Sequence, residues 1–289
     1  MSIQLGRLGI WTSHFRSGDP HARAEAAAQL ESFGYGTIWI PGGAGGDIFG
    51  DVTTVLEATE RIAVATGILN IWMHDPAEVA ASHQLVTSAH PGRFLLGLGI
   101  SHAMLVNAKS LTYERPLEVT AKYLDALDKA DPPVPVAERA LAALGPRMLT
   151  LARDRTAGAH PYLVTPEHTA VARQILGSGP LLAPEQAVVV ETDPGRARQI
   201  GRQHLKLYLQ LPNYTNNWLR HGYTPDDLAE GGSDRLVDGL VAWGDEQAIL
   251  SRIQAHRDAG ADHVCLQVLP REGETPVDQW QRLAQLIST

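Results

Sequence analysis

PAEVAASHQLVTSAHPGRFLLGLG, residues Pro76 to Gly99, joins a helical stretch directly to a short apolar run, and that junction decides the fold. Pro76–His90 reads as a helix, because a proline in the first helical turn gives up no intrahelical hydrogen bond. Phe94–Gly99 reads as a strand. Working outward, the same alternation recurs. Leu8–Thr12 is a strand, followed by a helix from Pro20 with Ala24, Ala27, Ala28, Leu30 and Phe33 on one face and a stop at Gly34. Thr37–Ile40 is the second strand, Pro41–Gly50 a glycine-rich loop, Val52–Thr59 a helix and Ile62–Gly67 the third strand.

Beyond Gly99 the pattern predicts a helix over Pro116–Lys129, a stiff linker at Pro132, Pro133 and Pro135, and a fifth strand at Ala140–Leu144. Helix Pro146–Arg155, strand Ala159–Val164, helix Pro166–Leu176, strand Ala187–Glu191 and helix Pro194–Leu211 follow. Asn213–Asp234 looks like an insertion after strand seven, with a short helix around Trp218. Helix Asp245–Ala259, strand His263–Val268 and helix Pro276–Ile287 end the chain. About eight strands, each with a helix behind it, predict an α/β (β/α)8 TIM barrel forming a single domain over residues 1–289. An open doubly wound sheet is the other fold this pattern allows, though it would normally be shorter.

The 289 residues are 44% apolar, enough for a large core. A net charge of −8 argues against general attraction to nucleic acid or to an anionic membrane surface. Cys265 is the single cysteine, which excludes an internal disulfide and a cysteine-rich metal site and fits a reducing compartment. Met1–Arg7 has no signal-like apolar core, and no run of 18 uncharged apolar residues occurs, so a soluble cytoplasmic protein is expected.

In a barrel the working residues sit at the C-terminal ends of the strands. Those ends are Ser13–His14, Pro41–Gly43, Gly67–Asn70, Gly99–His102, Leu144–Arg147 and His160–Tyr162. Gly145-Pro146-Arg147 opens a helix straight after a strand, where free N–H groups can receive a phosphate; an ordinary turn is the plain alternative. The run Gly97-Leu98-Gly99-Ile100-Ser101-His102 puts glycine inside a strand, which marks close approach by a ring system or by packed backbone. His102 is a candidate proton shuttle or a structural histidine. The run lacks the G-x-G-x-x-G spacing, and Pro41–Gly50 lacks the Gly-Lys-Ser/Thr of a P-loop, so that loop is read as a lid or as surface slack. Neither His-Glu-x-x-His nor Gly-x-Ser-x-Gly occurs, and no metal site is expected. Asn213, Tyr214, Asn216, Asn217 and Trp218 line a substrate pocket or cap the insertion. Trp72, Asn213, Asn216 and Trp218 are the substrate-side candidates.

Pro76-Ala77-Glu78-Val79-Ala80 with Gly92-Arg93-Phe94-Leu95-Leu96-Gly97-Leu98-Gly99 resembles the bacterial luciferase-like monooxygenase family. So do Arg61-Ile62 with Ala65-Thr66-Gly67-Ile68-Leu69-Asn70, and Ala142-Ala143-Leu144-Gly145-Pro146-Arg147-Met148 with Ala157-Gly158. The likeness spans nearly the whole chain. Its short length, with Gly158–Thr165 and Leu211–Asn217, resembles an actinobacterial-type subgroup of the coenzyme F420 branch.

The resemblance implies a non-prolyl cis peptide at Gly67–Ile68 that props the central ring of the cofactor. It implies that Gly99, Ser101 and His102 flank the ring, with Pro41 and Asn70 in the same cofactor set. Leu144, Gly145, Pro146, Arg147 and Met148 would take the tail phosphate. Sugar-phosphate dehydrogenases of the family carry Asp-His after strand two and Glu after strand four. Here Pro41-Gly42-Gly43 and His102 stand there, which argues against glucose 6-phosphate oxidation and makes His102, then His14, the proton-handling candidates. The implied activity is hydride transfer between the deazaflavin C5 and a small organic substrate by a protein that forms a homodimer. An FMN-dependent monooxygenase of the same fold and a non-catalytic flavin-binding paralogue are the alternatives.

Overall fold

The computed structural model describes residues 3–43, 45–107, 113–270 and 276–287. β1 (Leu8–Trp11) leads through a short turn of 3-10 helix at Ser13–Arg16 to α1 (Pro20–Ser32), β2 (Thr37–Gly42) and α2 (Ile48–Glu57). β3 (Ala63–Asn70), α3 (Pro76–Ala89), β4 (Phe94–Gly99), α4 (Ala103–Asn107) and α5 (Pro116–Lys129) follow. Next come β5 (Arg139–Leu141), α6 (Pro146–Arg155), β6 (Gly158–Ala159), α7 (Pro166–Leu176), β7 (Leu181–Leu182) and β8 (Glu185–Val189). The last part holds α8 (Pro194–Tyr208), α9 (Pro212–Arg220), α10 (Pro225–Leu228), α11 (Asp234–Leu240), β9 (Val241–Trp243), α12 (Glu246–Asp258), β10 (Val264–Val268) and α13 (Pro276–Ala284).

Several helices begin where the sequence sets an oxygen-bearing side chain ahead of a proline. Asp19, Asp75 and Asp193 accept N–H groups from the first turns of α1, α3 and α8, and Thr165 does so for α7. Such a cap contributes about 1 kcal/mol. The buried faces of these helices and of α12, with Leu30, Val86, Leu176 and Ile249 among them, cover the outside of a curled, all-parallel sheet.

The strand order is β7-β6-β5-β4-β3-β2-β1-β10-β8-β9. β7 and β8 are two halves of one stretch, because Pro184 between them has no N–H to give. On one side Leu181, Ala183 and Glu185 donate to the carbonyls of Ala157, Ala159 and Pro161 at 2.7–2.9 Å. On the other side the carbonyls of Leu182 and Pro184 accept from Asp262 and Cys265 at 3.0 Å. Inside the curl, buried Trp39 is surrounded by small residues: Ala63, Ala65, Ala140, Ala183 and the buried thiol of Cys265. A large ring against small neighbours fills such an interior without voids.

The structure shifts several expected boundaries. Strand seven starts at Leu181, six residues before the expected Ala187, because Ala183-Pro184 and the polar pair Glu185-Gln186 disguise its first half. α2 starts at Ile48, where Asp47 caps it, so the helix takes up part of the expected glycine-rich loop. β5 and β6 are shorter than expected; Pro161 limits β6, since it cannot donate to a ladder. Ala28 is exposed, and Ala26 takes its place on the buried face of α1. The Asn213–Asp234 segment holds two helices, α9 and α10, and β9 was not expected.

Candidate active site

β3 and β4 run side by side, with Leu69 opposite Leu98 and Asn70 opposite Gly99. Their register slips between Ala65 and Leu69, and within that interval the Gly67–Ile68 bond is cis. The glycines of β4 make room for the bulge. A Cβ on Gly97 would lie 1.9 Å from the Thr66 carbonyl oxygen, and one on Gly99 would lie 2.5 Å from Ile68 Cγ1. The close approach expected at these glycines therefore comes from the neighbouring strand, and Ile68 lies across Gly99. On Gly67 itself a Cβ would meet Trp11 Nε1 at 2.7 Å and His160 Nε2 at 3.2 Å.

Past β4, Ser101 adopts φ +59°, a left-handed conformation uncommon for a residue with a Cβ. His102 follows. Its ring packs on Tyr214 of α9, with centroids 5.4 Å apart. Burial lowers its pKa, and a hydrogen bond with the Asn213 side chain opposes that shift. Its Nδ1 is buried and has no partner among the described residues. A neutral imidazole with one uncommitted nitrogen can take up or release a proton there.

Tyr214 continues an aromatic wall. It meets Tyr208 of α8 edge-on at 5.0 Å, and Tyr162 lies 5.4 Å from both Tyr208 and Trp11. The Tyr162 hydroxyl donates to Gln267 Oε1 at 2.6 Å, so Tyr208 is the donor across the 3.0 Å hydroxyl pair. Burial pushes the phenol of Tyr208 up to about 12.

The interior also holds buried polar groups. His160 stacks on Trp39 at 4.1 Å and donates from Nδ1 to the Ala183 carbonyl at 2.7 Å. Its Nε2 has no partner among the described residues, and burial takes the ring down to about 4. Glu185 is fully buried; Oε2 accepts the Leu163 N–H at 3.0 Å, while Oε1 has no partner among the described residues. Burial raises this carboxyl to about 8 against the opposing Leu163 bond.

The N-terminus of α6 is capped by no side chain. A Cβ on its N-cap, Gly145, would have only Arg220 Nη1 nearby, at 4.0 Å. Early helical N–H groups, a positive helix end and a guanidinium make this open place suited to an anion. The amide of Met148 is spent on the Gly145 carbonyl at 3.1 Å, and the Leu144 carbonyl accepts from His168 Nε2 at 2.8 Å. Arg147 is exposed, as is Pro146.

The other expected site residues separate into distinct settings. His14 is set edge-on against Phe15 and Trp280, with its pKa lowered by burial and by Arg23. Asn70 is buried and committed to backbone, giving Nδ2 to the Gly43 carbonyl and accepting the Trp72 N–H. Trp72 donates its indole N–H to the Ile100 carbonyl at 2.9 Å. Pro41 is half-buried in β2. Trp218 is fully buried and donates to the Leu163 carbonyl, while Asn213 and Asn216 are exposed. Tyr162 belongs to the expected strand end His160–Tyr162, whereas Trp11, His204, Tyr208 and Glu185 were not expected at the site. Strand-end position was the available signal for Trp11 and Tyr162. No group of three or more His, Cys, Asp or Glu among the described residues is placed to hold a metal ion, and no described helix is long and apolar enough to cross a membrane.

The family model described as luciferase-like monooxygenase matches residues 7–263. A Mycobacterium tuberculosis protein assigned to the coenzyme F420-dependent oxidoreductases is 22% identical, over 88% of this chain and 92% of its own length. Among solved structures, an F420-dependent secondary alcohol dehydrogenase bound to an F420–acetone adduct superposes with a TM-score of 0.74 and 15% identity, covering 98% of this chain and 99% of its own. The oxygenating constituent of 3,6-diketocamphane monooxygenase from Pseudomonas putida, in complex with FMN, has a TM-score of 0.67 and 15% identity, covering 100% of this chain and 97% of its own.

Proposed function

The chain belongs to the luciferase-like monooxygenase family, and from that premise we propose that it is an oxidoreductase using coenzyme F420 on a small organic substrate. Bound F420 supplies a carbon that accepts or gives a hydride. The chain's own residues do the rest. The Ile68–Gly99 contact shapes the floor under the ring, and the N-terminus of α6 with Arg220 holds the anionic tail. His102 handles the accompanying proton at Nδ1. His14 is not given that role, because its ring packs on Phe15 and Trp280.

The observation that carries this reading is the buried, uncommitted Nδ1 of His102, three residues past Gly99 in the chain. The residues fit such a cofactor: an open cradle at Gly145 beside a cation suits a phosphate, and an orphaned imidazole nitrogen suits proton transfer. We take the sheet to be a closed (β/α)8 barrel in which residues 181–189 form the seventh strand; their hydrogen bonds to both flanks support closure. On that view α9–α11 are the insertion after strand seven. A cytoplasmic homodimer completes the reading, and sedimentation tests the dimer.

Separate titrations of F420, FMN and NADPH into the purified protein test the cofactor. F420 is expected to bind at least about tenfold more tightly than FMN, a difference of about 1.4 kcal/mol. Tighter FMN binding overturns the choice and favours a flavin monooxygenase.

A further inference from the structure

Four half-buried rings, those of Trp11, Tyr162, His204 and Tyr208, touch one another in a continuous series above the strand ends. Half-buried His102 joins them through buried Tyr214. Rings that served only as core would be covered. Rings that stay partly exposed while packing on each other can form one wall of a ligand site. The wall carries polar handles on two elements. His102 Nδ1, after β4, and His204 Nε2, on α8, are both buried without a partner among the described residues. A buried nitrogen left unpaired is costly to the fold. Two of them on one aromatic wall call for a ligand with an oxygen at each of two edges.

The geometry points to this aromatic wall as the binding site for a planar aromatic dicarbonyl compound of the quinone class, its ring lying along Tyr162 and Tyr208 and its oxygens meeting His102 and His204. The inference rests on the oxidoreductase reading, because it names the substrate class of that same site. None of these wall residues is a Lys or Arg that could fix a carboxylate or phosphate. The hydroxyls of Tyr162 and Tyr208 are already paired with each other and with Gln267, which leaves few partners for the many hydroxyls of a sugar. Burial holds His204 down at about 4 and lowers His102 as well, so both rings are neutral at ordinary pH. A neutral imidazole nitrogen can donate to a carbonyl or accept from a hydroxyl, depending on the tautomer. That suits the two forms of a quinone–hydroquinone pair.

Calorimetric titration of the whole protein with menadione, a two-ring quinone, tests the site without the cofactor. 1,4-Cyclohexanedione, which keeps two carbonyls but has no aromatic face, is the control. Cys265 is buried, so covalent addition to the only thiol does not complicate the measurement. Menadione is expected to bind about tenfold or more tightly than the dione, reflecting aromatic contact. Tyr208→Leu is expected to weaken it about tenfold, and His204→Phe, which keeps the ring but not the nitrogen, about fivefold. Thermal melting verifies that each variant folds; if Tyr208→Leu does not, His204→Phe and the dione control decide the matter. Equal binding of both probes, or indifference to the variants, overturns the quinone assignment. F420 titrated into the same samples separates the two claims: F420 binding without menadione binding removes only the substrate class, whereas menadione binding without F420 binding removes the F420 assignment and keeps the wall as a quinone site.

Discussion

The indole N–H of Trp11 reaches the carbonyl of Gly67 across 2.8 Å, tying the end of β1 to the bulge of β3 two strands away. With His160 on the same side, Trp11 leaves Gly67 no room for a side chain. Gly67→Ala would press a methyl group onto two fixed rings and should destabilise the fold by about 1–3 kcal/mol. Trp11→Phe should cost about 1–3 kcal/mol through the orphaned carbonyl and the smaller ring. Urea denaturation checks both; an unchanged midpoint for Gly67→Ala would show that Trp11 and His160 move aside freely.

Gly145→Asp should separate stability from binding. The place a Cβ would occupy is open, and an aspartate there gives α6 the cap it lacks, worth about 1 kcal/mol. The same carboxylate would pair with Arg220 and repel a phosphate. Melting temperature should rise or hold while F420 affinity falls about tenfold or more. A variant that binds F420 as the parent does would remove α6 from the cofactor site.

His102→Ala should lower turnover and leave F420 affinity nearly intact. The pKa of His102 is depressed below 6.5, chiefly by burial, so the neutral ring persists to acid pH. If the neutral ring acts as base, turnover should fall only as pH drops below about 6.5. A rate–pH profile whose acid limb lies above that value would assign the proton to another group.

Buried ionisable groups also predict the pH dependence of stability. His160, His168 and His263 titrate at about 4 in the fold and His256 at about 3, all below the unfolded value of 6.5. The unfolded chain then binds more protons below pH 6.5. Their contribution is complete above 6.5 and is lost as pH falls toward 4, at on the order of 1 kcal/mol per group per pH unit. Glu185 behaves in the opposite sense. Raised to about 8, its contribution is complete below 4.5 and is lost as pH climbs toward 8. Glu185→Gln should therefore stabilise the protein at pH 8 by on the order of 4 kcal/mol, with the gain vanishing near pH 4.5. Denaturation at the two pH values checks the sign.

The first half of the chain was legible because Phe94–Gly99 and Ile62–Gly67 are apolar runs set off by proline-led helices, and local periodicity governs such elements. Strand seven was not. Glu185 and Gln186 read as surface residues until their burial is seen, and Pro184 reads as a stop although its missing N–H only interrupts the ladder. Glycine spacing pointed to the close approach of Ile68 to Gly99, and Gly145-Pro146 to the helix end without a side-chain cap. The aromatic wall was hidden because it joins Trp11 of β1, Tyr162 from the segment after β6, Tyr208 of α8 and Tyr214 of α9, and contacts over such sequence separations leave no short-range pattern. Trp218 misled for the same reason: beside two exposed asparagines it reads as a pocket residue, yet it is a buried prop under Leu163.

The lone thiol, Cys265, sits on β10 inside the curl, where burial and Glu185 both hold it in its unreactive protonated form. The molecule thereby carries its own clock. A chromogenic thiol reagent can score only those moments when the strands part, so the labelling rate of an unaltered sample reports how often the interior is laid open, and how far a bound ligand slows that breathing.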